Sequence, residues 1–303
     1  MQHIFGNISI LTAAPVLNLG LLIDGLFIGS IFALAAYGLA LVWGVMNVKN
    51  LAQGDFIMLG GYITWNLGRH GINPLLGVPC AVVFLWCFGW VIYRLVVSKV
   101  ITRDLFTSLL ATFGVAIMIQ QSLNLAFGPD TQSAHAHLPI WQFAGGLISV
   151  PAARLLGFGL AIALALAVIV FMKNSRMGQA IRATAQDARA ARVLGIDTEK
   201  VYAFTFCLNA AICGAAGALV ALVWNVQPFM GTTYSIRLFV IVTAAGFGNL
   251  PGVIAAGFGM GVFEQFGGFL LGAEFQQALI VLLLLGVLSY RQLQYLRVRQ
   301  AVQ

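Results

Sequence analysis

The sequence predicts an all-α, polytopic integral membrane protein, and three observations carry that prediction. Sixty per cent of its 303 residues are hydrophobic, only 8% are charged, and the mean hydropathy is +0.94. A soluble domain carries about 25% charged residues, so this chain lacks the charge to cover a water-facing surface. The same hydrophobicity excludes a disordered chain. Glycine, at 34 residues, suits helices that pack closely in lipid, where small side chains let backbones approach.

Each element follows from the rule that a span takes roughly 20 predominantly apolar residues. Residues 25–48 carry no charge and form the first span. Residues 56–67 are apolar but short, and Asp55 precedes them. Residues 74–93 give the third span, the uncharged Leu105–Phe127 the fourth, 155–172 the fifth and 201–226 the sixth. Residues 238–263 are also uncharged, but Gly246, Gly248, Pro251 and Gly252 interrupt them. A straight helix does not run easily through such a stretch, so it reads as two pieces joined by a turn. Residues 275–290 close the set. The expectation is about eight to nine transmembrane or half-spanning helices.

Basic residues set the orientation, because cytoplasmic links are enriched in Lys and Arg. The link 173–200 carries Lys173, Arg176, Arg182, Arg189, Arg192 and Lys200. Lys49, the group Arg94, Lys99 and Arg103, and the tail residues Arg291, Arg297 and Arg299 fall on the same side if the interrupted segment crosses twice. Only Arg69, Arg154 and Arg237 fall outside that pattern. This places the N-terminus outside and the C-terminus in the cytoplasm. The link 128–154 is too short for a soluble domain, so residues 1–303 read as one transmembrane domain with a cytoplasmic loop at about 173–200. The first twenty residues have no basic leader region, which argues against a cleaved signal peptide.

The net charge of +7 is therefore a topology signal and no nucleic-acid partner is expected. Cys80, Cys87, Cys207 and Cys213 lie in apolar runs without a CxxC pair and read as small buried hydrophobes. No phosphate-binding GxxxxGK[ST] loop occurs, so the chain does not bind ATP in that way. His135 and His137, with only Asp130 near in sequence, read as a solvated pair and not as a metal site. Asn73-Pro74-Leu75 occurs once, whereas a water channel of the paired half-helix type needs two such turns. No nucleophile–histidine arrangement supports a membrane protease. No catalytic residue, metal or cofactor is expected.

Charge inside a span is costly and marks function or specific packing. Asp24 reads as a boundary residue that reaches headgroups. Asp55, beside Asn50, Gln53 and Gly54, and Glu264, before Gly267 and Gly268, stand as pathway or helix-packing groups, with an interfacial position the alternative. Two segments depart from plain helix: 50–62, with Gly54, Gly60 and Gly61, and 246–261, with Pro251 and several glycines. Broken helices in opposite halves of a chain point to a solute site near mid-membrane. On that basis Asn50, Gln53, Gly54, Asp55, Gly248, Pro251 and Glu264 are the candidate translocation-pathway residues. Gly25-x-x-x-Gly29 and Gly257-x-x-x-Gly261 are packing signals.

The link 175–197 recurs in small or apolar residues at Ala180, Ala183, Ala188, Ala191 and Leu194, at helical spacing, and Gly195 fits a helix stop. A short, basic, amphipathic helix lies either on anionic lipid or in a groove of a cytoplasmic partner. Both readings stand on the residues alone.

Four ordered motifs resemble the permease family of bacterial branched-chain amino acid ABC importers, over about residues 25–290. They are Gly25-Leu26-x-x-Gly29-Ser30-x-x-Ala33-Leu34, Asn50-Leu51-Ala52-Gln53-Gly54-Asp55-x-x-Met58-x-Gly60-Gly61-Tyr62, Ser175-Arg176-Met177-Gly178 through Leu194-Gly195-Ile196, and Gly246-x-Gly248-Asn249-x-x-Gly252 with Gly257, Gly261 and Glu264. Gln53 stands where that family usually has His. The resemblance implies a permease subunit in a bacterial inner (plasma) membrane that is not itself an enzyme. It implies two cytoplasmic ABC ATPases, a second permease subunit, identical or homologous, and a periplasmic or lipid-anchored solute-binding protein, with membrane lipid around the chain. It further implies that Arg176, Met177, Gly178, Ala185, Asp187, Ala191 and Gly195 couple the membrane helices to the ATPases. The solute expected is a branched-chain or related small amino acid or amide. The competing class is a stand-alone secondary transporter or channel, for which Asp55 and Glu264 would have to bind H⁺ or Na⁺.

Overall fold

The computed structural model describes residues 15–101, 103–134, 140–143, 148–246 and 248–301. Eleven helices occupy them: α1 (Pro15–Met46), α2 (Gln53–Arg69), α3 (Gly77–Ile92, continued by a π turn through Tyr93–Val97 to Val100), α4 (Leu105–Phe127), α5 (Ala152–Asn174), α6 (Arg176–Gln186), α7 (Ala188–Val193), α8 (Thr198–Val223), α9 (Gly231–Ala245), α10 (Leu250–Leu271) and α11 (Gln276–Ala301). Seven of the segments described are long and apolar enough to cross a membrane. With the 17-residue α2 and with α11, nine segments make up the bundle. The chain is a multi-pass, all-α membrane protein. Short strands add only trim: Gln132–Ser133 pairs with Asn225–Val226, and Ile140–Phe143 pairs with Ile148–Pro151. His135 and His137 lie outside the described residues.

Helix α8 is the axis, and its sequence explains why. Ala210, Ala211, Gly214, Ala215, Ala216, Gly217, Ala218 and Ala221 leave its sides nearly bare, and all are buried. Lipid tails are as apolar as leucine, so helices associate by close packing and not by escape from water. A Cβ added at Gly60 of α2 would lie 2.6 Å from the carbonyl of Gly214, and one at Gly214 would lie 2.7 Å from the carbonyl of Ala81 in α3. Helices α1 and α10 run antiparallel and touch through the two small-residue stripes. A Cβ at Gly25 would lie 2.7 Å from the Cα of Val262, and one at Gly257 would lie 2.6 Å from the Cα of Ala33. The outward faces of α3, α4 and α5 carry large exposed apolar side chains, among them Trp90, Phe106, Leu110, Leu125 and Leu166. The Asp24 carboxylate accepts from Arg154 at 2.7 Å, a partly exposed ion pair between α1 and α5.

Four expectations change in detail. The first helix starts at Pro15, about one and a half heptads before residue 25. The break expected over 50–62 is confined to the turn ahead of Gln53, where Asn47 has φ +52°. From Gln53 onward α2 is regular, because Gly54, Gly60 and Gly61 face backbones or side chains that leave no room for a Cβ. The late break is real but shorter than its glycine content suggests. Gly246, at φ +94°, ends α9 by donating its N–H to Val242, and the Asn249 side chain accepts from Gly252 N–H to start α10, with Pro251 in its first turn. Cys80 and Cys87 are also exposed on α3 and not buried as expected, while Cys207 and Cys213 are buried. The spacing of 80 and 87 places both on one outward helix face.

Candidate functional site

The turn before α2 builds the first polar cluster. The Gln53 amide donates to Asn209 Oδ1 at 2.8 Å and accepts from Asn209 Nδ2 at 2.9 Å, closing a reciprocal pair between α2 and α8. Asn50 adds a bond to Gln53 Oε1 at 3.3 Å and its own Oδ1 accepts from the Ala52 N–H. Ser235 of α9 accepts from the Gly54 N–H at 2.8 Å and donates to the Leu51 carbonyl at 2.9 Å. Thr112 of α4 receives the Leu51 N–H at 3.2 Å. The bonds to the backbone of Leu51, Ala52 and Gly54 replace ones that water would otherwise supply, which membrane interior cannot.

Asp55 lies one step further along α2, buried. Its Oδ1 accepts from Gln120 Nε2 at 2.8 Å, and Gln120 also reaches Thr232. Gly231, the first residue of α9, sits against the same carboxylate, and a Cβ there would collide with it. The positive end of the α9 dipole therefore faces the charge. Asp55 Oδ2 is buried and has no hydrogen-bond partner among the described residues.

A second site lies between α9 and α10. Arg237 Nη2 meets Glu264 Oε1 at 2.6 Å, with both side chains largely buried. The guanidinium lies over the rings of Phe32 and Tyr234, 5.3 Å from each centroid. The pair lines a cavity of about 330 Å³ whose other walls include Ile28, Phe32, Trp224, Tyr234, Gln265 and Gln276. Arg237 Nε and Glu264 Oε2 are buried without a hydrogen-bond partner among the described residues.

The basic loop forms the third site. Ser175 caps α6 by accepting from the Gly178 N–H at 2.8 Å. The single helix expected here is two, because Asp187 leaves helical geometry and its carboxylate accepts from the N–H groups of Arg189 and Ala190 at 2.7 and 3.0 Å. Those bonds hold the Asp187 carboxyl below the usual carboxylate range. Gly195, at φ +86°, turns the chain after α7, and Asp197 caps α8. Gly178 packs on the Met172 carbonyl, and Ile181, Thr184 and Ala191 face the helical body. Arg176, Ala185, Asp187 and Gly195 are exposed, and Met177 is half-buried. Val193 and Leu194 are 87% and 81% exposed, which is unusual for two adjacent aliphatic side chains in a basic loop.

The permease-component family of branched-chain amino acid transport systems matches residues 21–288 of this chain. The chain belongs to that family. The permease is 29% identical to the high-affinity branched-chain amino acid transport system permease protein LivH of Escherichia coli K12, over 86% of this chain and 91% of that protein. It is 27% identical to the corresponding protein BraD of Pseudomonas aeruginosa, over 89% of this chain and 92% of that protein. No solved structure matches the chain. The family accounts for a transport subunit and not for a stand-alone channel or secondary transporter.

The seven pathway candidates do not converge. Asn50, Gln53, Gly54 and Asp55 form the α2 cluster, and Glu264 belongs to the separate α9–α10 cavity. Gly248 lies elsewhere: with Leu250 it lines a cavity of about 280 Å³ shared with Ile181, Arg182, Ala185 and Gln186 of the loop. Pro251 starts α10 at that same turn. Sequence reading missed Asn209, Ser235 and Gln120, whose polar side chains in otherwise apolar spans were the available signal. It also missed Arg237, a lone basic residue outside the orientation pattern.

Proposed function

We propose that the permease is the membrane subunit of an ATP-driven importer for branched-chain or related small amino acids, built as one transmembrane domain over residues 1–303. It works with two cytoplasmic ABC ATPases, a second permease subunit and an external solute-binding protein, in a bacterial inner membrane with its C-terminus in the cytoplasm. The partner subunits hydrolyse the ATP. The observation that carries this reading is the loop: α6 and α7 present exposed Arg176, Ala185, Asp187, Val193 and Leu194, while Gly178 and Ala191 seat them on the helical body.

In this reading Arg176, Met177, Gly178, Ala185, Asp187, Ala191 and Gly195 form the coupling unit. Small residues favour insertion into a protein groove, since a lipid surface selects bulky apolar side chains. Motion of α6 reaches the α9–α10 turn at Gly248 and Leu250, next to Pro251, across the shared cavity. Helices α9 and α10 then carry it toward Glu264, and α9 also carries it to the cluster of Asn50, Gln53, Gly54 and Asp55 through Ser235 and Gly231. Coupling needs such a two-state element linking both sites.

The test is recovery of the tagged chain from mild detergent with mass spectrometry of what remains bound. P-loop ATPases and a second permease are expected. Asp187→Asn combined with Ala185→Trp is expected to abolish ATPase capture, and retained capture would remove the loop from the coupling role. A chain that purifies alone and moves solute in ATP-free liposomes would overturn the importer reading.

A further inference from the structure

The α9–α10 cavity holds a cation and an anion side by side, each with unused valence. Arginine offers five N–H donors and a carboxylate about four acceptor positions. Here one contact, Arg237 Nη2 to Glu264 Oε1, joins them, while Arg237 Nε and Glu264 Oε2 stay buried and unpartnered. Buried polar atoms are almost always satisfied, so two orphans on the same ion pair call for an explanation. The pair does not float in apolar surroundings: Phe32 and Tyr234 flank the guanidinium. Ile28, Trp224 and Met230 supply an apolar wall, and Asn225, Gln265 and Gln276 a polar one.

We infer that Arg237 and Glu264 form a zwitterion-binding site on the permease itself, taking the α-carboxylate and α-ammonium groups of an amino acid whose aliphatic side chain rests on the wall of Ile28, Trp224 and Met230. The guanidinium fork matches a carboxylate through its unused N–H groups. Glu264 Oε2 accepts from the ammonium group. In the absence of solute the two side chains meet only through Nη2 and Oε1, and the solute replaces that one internal ion pair by two external ones without leaving a bare charge. This is complementary to free amino acids and not to amides or acids that lack one charge. The inference rests on the proposed importer reading for its orientation: Trp224 follows the end of α8 and Gln276 begins α11, both on the side opposite the basic loop, where a binding protein would release solute.

The experiment uses the full chain in lipid nanodiscs with tritiated L-leucine as probe, and ATPase capture as a parallel readout. Saturable leucine binding is expected, with leucinamide and isocaproate each at least about tenfold weaker competitors, because each leaves one buried charged group unpaired. Glu264→Gln is expected to lose binding by a similar factor. Single neutralisation of a buried pair also threatens folding, so the charge-swapped variant Arg237→Glu with Glu264→Arg supplies the control. It keeps the ion pair and a monodisperse elution profile, yet loses leucine binding because the two charges no longer face the matching ends of the solute. Absence of saturable leucine binding overturns the inference, as does unchanged binding in the folded swap, or equal competition by all three compounds. ATPase capture decides the importer reading separately: capture without leucine binding removes only the zwitterion site, whereas no capture with charge-dependent binding removes only the importer.

Discussion

Replacing Gln53 and Asn209 with apolar residues of similar size, singly and together, probes the amide pair that locks α2 onto α8. The structure gives the terms. Each amide donates once and accepts once across the pair, at 2.8 and 2.9 Å, and both residues are fully buried. In Gln53→Met the Asn209 amide keeps its desolvation cost and loses both bonds across the pair, whereas in Asn209→Leu the Gln53 amide loses the same two bonds but keeps its contacts with Asn50, Cys213 and the Ala35 carbonyl. An unsatisfied buried amide costs about 1–3 kcal/mol, so Gln53→Met is expected to lose about 2 kcal/mol and Asn209→Leu, whose partner stays bonded elsewhere, about 1 kcal/mol. Hydrogen bonds between membrane helices average about 0.6 kcal/mol with a maximum near 1.7, which puts the coupling of two such bonds at about 1–2 kcal/mol. The double variant removes donors and acceptors together and should therefore cost clearly less than the sum of the singles. Unfolding of the detergent-solubilised chain in a series of denaturing-detergent mole fractions supplies the four free energies of the cycle. Additivity within about 0.3 kcal/mol would show that the two amides do not depend on each other and would refute the argument.

Gly261→Ala is expected to destabilise by more than about 2 kcal/mol, because its Cβ would run into backbone of Gly25 and Gly29, whereas Gly259→Ala, with open space around it, should be neutral or stabilising by up to about 1 kcal/mol; thermal unfolding compares the two. Asp24→Asn should change stability by no more than about 1 kcal/mol, since its ion pair with Arg154 is about one-third exposed, and a larger loss in the same assay would mean that the pair is a structural tie and not a surface bridge. Asp187 holds its carboxyl below the usual range, so its cap is fully present above that range and is lost as the pH falls through the lowered value. Protection factors at Arg189 and Ala190, taken against the intrinsic exchange rate at each pH, should accordingly be high at neutral pH and fall at acid pH, and Asp187→Ala should leave them low throughout. Val193→Ser with Leu194→Ser should weaken ATPase capture while leaving the thermal midpoint unchanged, because both side chains are almost fully exposed; retained capture would exclude them from the docking surface.

Composition alone determined that this is a membrane protein of packed helices, since no arrangement of so few charges covers a soluble surface. Hydropathy determined the spans, and the placement of Lys and Arg sets an expectation for which links share a side. The stripes at Gly25, Gly29, Gly257 and Gly261 announced a close helix contact, and the motifs around Asn50, Ser175 and Gly246 announced the family. The caps at Ser175, Asp197 and Asn249 act on N–H groups within three residues and so need no partner distant in sequence. What stayed hidden depends on partners distant in sequence. Glycine reads alike whether it breaks a helix or admits a neighbour, and only the approach of Gly214, Val226 and Gly231 shows that Gly54, Gly60 and Gly61 do the second. Gly248 and Glu264 belong to one motif on the chain, yet Gly248 precedes α10 and Glu264 stands about four turns into it, roughly 21 Å along the axis at about 1.5 Å per residue, and so in a different site. Arg237 became legible only when α9 and α10 packed side by side, because a lone arginine in an apolar run has no partner until the tertiary structure brings Glu264 to it.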